Sequence, residues 1–102
     1  MANIGDSRSV LCRNGQAIAL SEDHKPINPE EKARIIKAGG HITHNRINGN
    51  INISRTFGDF YYKSNKNKPY NEQMIISIPE IKEIERKKGE DQYILMASDG
   101  VW

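Results

Sequence analysis

Two apolar runs, Ser9-Val10-Leu11-Cys12 and Ala17-Ile18-Ala19-Leu20, stand on either side of Asn14-Gly15. Asparagine and glycine both tolerate the positive φ of a type I′ turn, so this pattern predicts a β-hairpin. Asn48-Gly49 predicts a second one, between Ile42–Arg46 and Ile51–Ile53. The one clear helix lies between the two. Asn28 is a suitable N-cap, Pro29 fits the first helical position, and Glu31 stands where a capping box places its carboxylate. Glu30 and Glu31 suit the positive end of the helix dipole. Ala33, Ile35 and Ile36 make a narrow apolar face, and Gly39 can take the left-handed conformation that ends a helix. A helix this short persists only when it packs on something.

Beyond residue 53 the pattern is weaker. Ser54–Phe60 has room for one helical turn, and Ile75–Arg86 reads as a strand of imperfect alternation, interrupted at Pro79. Tyr93-Ile94-Leu95-Met96-Ala97 is a continuous apolar run. Such a run predicts a strand covered on both faces, deep in a layered domain. It feeds straight into the turn Ser98-Asp99-Gly100.

Composition narrows the class. With 102 residues, 36% hydrophobic and 27% charged, the chain is one small folded domain rather than a disordered tail. Its longest apolar run is too short to span a bilayer, and no basic and apolar leader follows Met1, so no membrane association is expected. The net charge of +2 is spread among interspersed acids. The acid-free stretch Lys63–Lys68 carries no interleaved aromatic platform, so it reads as a solvated loop and not as a nucleic-acid surface. Cys12 is the sole cysteine, which excludes an internal disulfide and leans towards a reducing compartment, cytoplasm or nucleus.

Asp99 leaves the end of the predicted buried strand, a common way to hold a metal ion, with Gly100 letting the backbone turn away. Taken alone, Asp-Gly is also a stock turn pair. Asp6, in Gly5-Asp6-Ser7-Arg8, has the same two readings. His41 and His44 are three apart and would point to opposite faces of a strand, which argues against a shared metal.

The order of segments decides between those readings. The chain carries Gly5-Asp6-Ser7-Arg8, Cys12-Arg13-Asn14-Gly15, Asp23-His24-Lys25-Pro26 and Glu31 to Arg34. It continues with Ala38-Gly39-Gly40, Ser54-Arg55-Thr56-Phe57-Gly58-Asp59, Ile78-Pro79-Glu80-Ile81 and Leu95-Met96-Ala97-Ser98-Asp99-Gly100-Val101-Trp102. This set resembles the type 2C metal-dependent protein serine/threonine phosphatases, in the order and near the spacing of that family, over essentially the whole chain. The resemblance implies an α+β fold, part of an αββα sandwich of two antiparallel β-sheets with flanking helices. It implies two Mg²⁺ or Mn²⁺ ions, with a third position in several members. It also implies phosphorylated proteins as substrates, hydrolysed by a water that the metals make acidic. By the same resemblance Asp99 is a metal ligand and Asp6 belongs to the weaker third position. Arg55 and Asp59 match a motif expected to organise the region, most simply as a buried Arg–Asp pair. Residues 41–52 fall where the family has a variable flap, and Cys12 becomes a small core residue. No residue of this chain is expected to act as a catalytic group itself.

The resemblance also implies what is not here. The family's phosphate-binding arginine, its acidic pair, its Asp-Gly-His-Gly-Gly turn and a further downstream aspartate have no counterpart in residues 1–102. The chain is therefore expected to be a partial catalytic domain, truncated at both ends and inactive alone. The alternative is a pseudophosphatase module that binds partner proteins without catalysis.

Overall fold

A computed structural model describes all of residues 1–102. Along the chain run β1 (Ala2–Asn3), β2 (Arg8–Arg13), β3 (Gln16–Ala19), α1 (Pro29–Lys37), β4 (Ile42–Thr43), β5 (Arg46–Ile47), β6 (Glu80–Ile81) and β7 (Asp91–Ala97). Short 3₁₀ turns occupy Phe60–Lys63, Tyr70–Glu72 and Asp99–Val101. The elements are mixed α and β, and every strand pair is antiparallel, as expected. They gather into two compact units, one made of Met1–Asp23 with Pro79–Trp102, the other of His24–Ile78.

In the first unit β3, β2 and β7 lie side by side in that order, and β1 pairs with β6. The first predicted hairpin forms: Asn14 and Gly15 have φ of 49° and 72°, and Arg13 pairs with Gln16 across the two-residue turn. Gln92 Oε1 accepts the Gly15 amide at 2.9 Å and ties the turn to β7. Period-two alternation buries Ser9 and Leu11 on β2, and Leu20 is buried with them. Cys12 is not a core residue: it is half-buried, and its Sγ lies 2.9 Å from Gln92 Oε1.

β7 forms where the apolar run predicts it, but it is an edge strand. Tyr93, Ile94, Leu95 and Met96 remain 64, 52, 55 and 66% exposed. The expectation of cover on both faces therefore fails within this chain. An apolar run sets strand formation locally, while its cover must come from other elements, and here only β2 flanks it. The strand expected over Ile75–Arg86 shrinks to the two residues of β6. Pro79 cannot donate a ladder bond, and the charged residues after Ile81 give neither face an apolar set.

The second unit packs around Ile35, Ile47 and Ile75, all with no exposed surface, and Ile42, Ile51, Tyr62 and Met74 surround them. Helix α1 ends as predicted. Gly39 has φ of 91°, its amide bonds the Ile36 carbonyl, and the Gly40 amide bonds the Ile35 carbonyl, both at 2.9 Å. This is a Schellman arrangement. The apolar face differs from expectation, because Ala33 and Ile36 are exposed while Glu31, Ile35 and Ala38 are buried. The helix turns its inner side by the i, i+4, i+7 rule, and a carboxylate occupies one of the inner positions. Asn28 takes the extended N-cap conformation without a side-chain cap bond.

The second predicted hairpin is displaced. β4 and β5 pair around His44-Asn45, whose φ values are 50° and 62°. Asn48-Gly49, at 52° and 75°, then turns the chain again, so that Ile47 bridges Ile51. Residues 54–59 form no helical turn. Arg55 instead makes a parallel bridge to Ile76, and Asp59, with φ of 52°, turns the chain into the 3₁₀ segment that follows.

Candidate functional site

The β2–β7 ladder runs in unbroken register from Cys12–Tyr93 to Arg8–Ala97. Asp6 stands two residues before Arg8, and Asp99 two residues after Ala97. The ladder ends at Arg8–Ala97, so Asp6, in the bend before β2, and Asp99, in the turn after β7, both lie beyond the same end of the sheet. Asp6 is half-buried and Asp99 is exposed, at the start of the Asp99–Val101 turn. Gly100 is not in the left-handed region, and a Cβ there would meet nothing within 4 Å. The turn at Asp99 is thus made without demanding glycine, contrary to the sequence argument.

Arg8 occupies that same end. Its Nε and Nη2 donate to the two carboxylate oxygens of Asp23 at 3.0 and 3.1 Å, and its guanidinium lies 5.1 Å from the centre of the Trp102 ring. The bidentate bond to Asp23 comes first among the causes that raise the Arg8 pKa, and the charge of Asp6 adds to it. Carboxylate oxygens are hard donors that suit a divalent cation such as Mg²⁺ or Mn²⁺, and no soft ligand accompanies them. Nowhere in the chain do three acidic, histidine or cysteine side chains converge on one point. The chain alone therefore gathers no complete set of ligands for such a cation, and Asp6 and Asp99 are the two carboxylates at this end of the sheet.

The second unit contains a polar cluster that the sequence reading missed. Glu31, 3% exposed, sits on the inner side of α1. Its Oε1 accepts Arg55 Nε and Nη2 at 3.1 and 2.7 Å, and its Oε2 accepts Arg34 Nη2 at 2.8 Å. Ser54 Oγ donates to the same Oε2 at 2.5 Å and lies 2.9 Å from the His24 carbonyl. Burial pushes the Glu31 carboxyl pKa up, but the bonds from Arg34, Arg55 and Ser54 outweigh it and bring the carboxyl down to about 2. The arginines reach onward, Arg34 to the carbonyls of Ser54 and Gln73 and Arg55 to that of Ile78. One carboxylate and two guanidinium groups thereby tie α1 to residues 54–55 and 73–78. A Glu–Arg pair spaced i, i+3 beside Ile35 and Ala38 was the available signal.

The expected Arg55–Asp59 pair does not form, because Arg55 gives its fork to Glu31 and Asp59 is exposed at a left-handed turn. His24 is buried. His44 lies in a turn rather than on a strand, so the opposite-faces argument does not apply to it. Within 41–52, the flap-like stretch, Arg46 Nη1 donates to the Asn50 carbonyl at 2.7 Å and holds the double turn together.

Comparison with known proteins fits this arrangement. A family model described as protein phosphatase 2C matches residues 1–102. The chain belongs to the protein phosphatase 2C family. It is 52% identical to protein phosphatase 2C 1 of Paramecium tetraurelia over 102 residues, all of this chain and 34% of that protein. It is also 52% identical over 102 residues to protein phosphatase ppm-1.G of Caenorhabditis elegans, covering 21% of it. A solved phosphatase structure from Toxoplasma gondii superimposes with a TM-score of 0.81 at 40% identity, over 98% of this chain and 31% of that one. The chain thus has the backbone of the phosphatase 2C fold and spans about a third of the length of its Paramecium relative.

Proposed function

We propose that this chain is part of the catalytic domain of a divalent-metal-dependent protein serine/threonine phosphatase, acting on phosphoserine and phosphothreonine in proteins. The observation that carries the reading is the β2–β7 register, which delivers Asp6 and Asp99 to one end of one sheet. Family membership over the whole chain supports it. Asp99 and Asp6 would each place a carboxylate oxygen on a bound Mg²⁺ or Mn²⁺, Asp99 at the two-ion centre and Asp6 at a third, weaker position. The ions would supply an acidified water as nucleophile and would offset charge developing on the phosphoryl group. Arg8, clamped by Asp23, keeps a fixed positive charge beside Asp6 and stiffens the end of the sheet. The lone Cys12 supports a reducing compartment, cytoplasm or nucleus, as the place of action.

The test is phosphate release from a phosphoserine peptide with Mn²⁺ by the complete gene product, beside its Asp99→Asn variant. Metal-dependent release that falls at least about a hundredfold in the variant supports the reading and the ligand together. A folded, complete product without activity would instead favour a pseudophosphatase module that binds partner proteins without catalysis. The 102-residue chain by itself is expected to release no phosphate, because it gathers no three-ligand cluster.

A further inference from the structure

The second unit holds a cavity of about 190 Å³ lined by Lys63, Tyr70, Gln73, Ser77 and Ile78. Lys63 is the one charged side chain among them. Its Nζ donates to the Thr56 carbonyl at 2.7 Å and to Ser77 Oγ at 2.8 Å, and both acceptors are neutral. An ammonium carries three hydrogens, so one donor remains beyond these two bonds.

Two neutral polar groups of the cavity are committed elsewhere. Ser77 Oγ gives its proton to the Thr56 carbonyl at 2.8 Å. The Gln73 amide donates to the carbonyls of Asn65 and Lys68 and accepts the Asn65 amide. Burial lowers the Lys63 pKa, and the charge of Asp59 opposes this. Lys63 is thus a half-buried cation whose two bonded acceptors are neutral and which keeps one donor, an arrangement that suits an incoming anion. Tyr70 stands at the site with 78% of its surface exposed, and Ile78 supplies apolar surface. An aromatic ring and an aliphatic wall suit an anion carried on a carbon chain better than a bare ion.

We propose that this cavity receives an anionic side chain, phosphoryl or carboxylate, presented by a peptide segment of a protein ligand, with Lys63 as its counter-charge and Tyr70 packed against the segment. This site needs no metal and no catalysis, so it stands or falls separately from the phosphatase reading.

The experiment is a titration of the full chain in EDTA, followed by NMR of the lysine methylene and tyrosine ring signals. The probes are a phosphoserine peptide, its aspartate and serine counterparts, and inorganic phosphate. The two anionic peptides should shift the Lys63 and Tyr70 signals saturably, and the serine peptide should bind about tenfold more weakly or worse. Lys63→Met should weaken both anionic peptides by about tenfold or more, while Lys66→Gln, an exposed lysine of the same loop, should change them less than about twofold. Two peptide arms that bind unequally would say which anion is preferred, and either would uphold the site. Equal binding of the serine peptide, shifts centred on Lys66, or inorganic phosphate binding as tightly as the peptides would each overturn it. If Lys63→Met loses the folded spectrum, the map of shifts in the unaltered chain decides.

Discussion

Arg55 and Glu31 are 24 residues apart in sequence, yet the arginine fork closes on one carboxylate oxygen at 2.7 and 3.1 Å. Glu31 is fixed by the helix, and Arg55 by its bridge to Ile76, so neither side chain must be ordered solely to make the contact. Removing one partner of a buried pair leaves the other charge uncompensated. Glu31→Gln should therefore cost about 3–5 kcal/mol of folding stability, read as a drop in the urea midpoint.

The same carboxylate makes stability depend on acid. Its folded pKa of about 2 lies below the unfolded value of 4.5, so its contribution is fully present above the unfolded pKa and is lost as pH falls from about 5 through 2. Allowing for solvent screening at the outer faces of the arginines, the loss is about 2 kcal/mol. Asp91, lowered first by its bond from Arg13, acts in the same direction. Urea melts at pH 7, 4 and 2.5 should show a slope that becomes shallower, but does not vanish, in Glu31→Gln.

Glycine substitutions separate two kinds of demand. A Cβ on Gly40 would lie 2.9 Å from Ile35 Cγ2 and 3.0 Å from Met74 Sδ, inside the packing of α1. Gly40→Ala should cost about 1–3 kcal/mol by crowding. Gly100→Ala meets nothing within 4 Å and should stay within about 0.5 kcal/mol of the parent in the same melts.

The left-handed turn at Asn14-Gly15 makes a third case. Gly15 has open space around it but φ of 72°, so Gly15→Ala should cost about 1 kcal/mol through backbone strain alone. The loss should appear as faster amide exchange at the tips of β2 and β3.

Burial predicts a contrast across the first unit. Leu11, 4% exposed, should lose about 2–5 kcal/mol as Leu11→Ala, whereas Met96→Thr on the open face of β7 should change stability by less than about 0.5 kcal/mol. Thermal melts of the two variants check it.

Features carried by one or two adjacent residues were legible in the sequence. Asn14-Gly15 announced its turn, Pro29 and Gly39 bracketed α1, and the run after Gln92 formed β7. What depended on distant partners was not. The inner face of α1 was misjudged because Glu31 breaks the apolar pattern, and only Arg55 and Ser54, far along the chain, make its burial tolerable. His44-Asn45 is not a stock turn pair, and the stronger signal at Asn48-Gly49 drew the hairpin to itself. Exposure of β7 could not be read from its own residues, since cover is a property of neighbours. Asp6 and Asp99 were each legible as turn carboxylates at the edges of apolar runs, but their common destination follows only from the register between β2 and β7.

That register makes the end of the sheet sensitive to length rather than to chemistry. A strand advances about 3.3 Å per residue and reverses its side chains at every step. One residue inserted between Asp6 and Arg8, or one deleted between Ala97 and Asp99, would change how far a carboxylate stands from the end of the ladder while leaving every side chain in the ladder unchanged. Gene variants that add or drop a codon at these two places should therefore be far rarer than variants that exchange one.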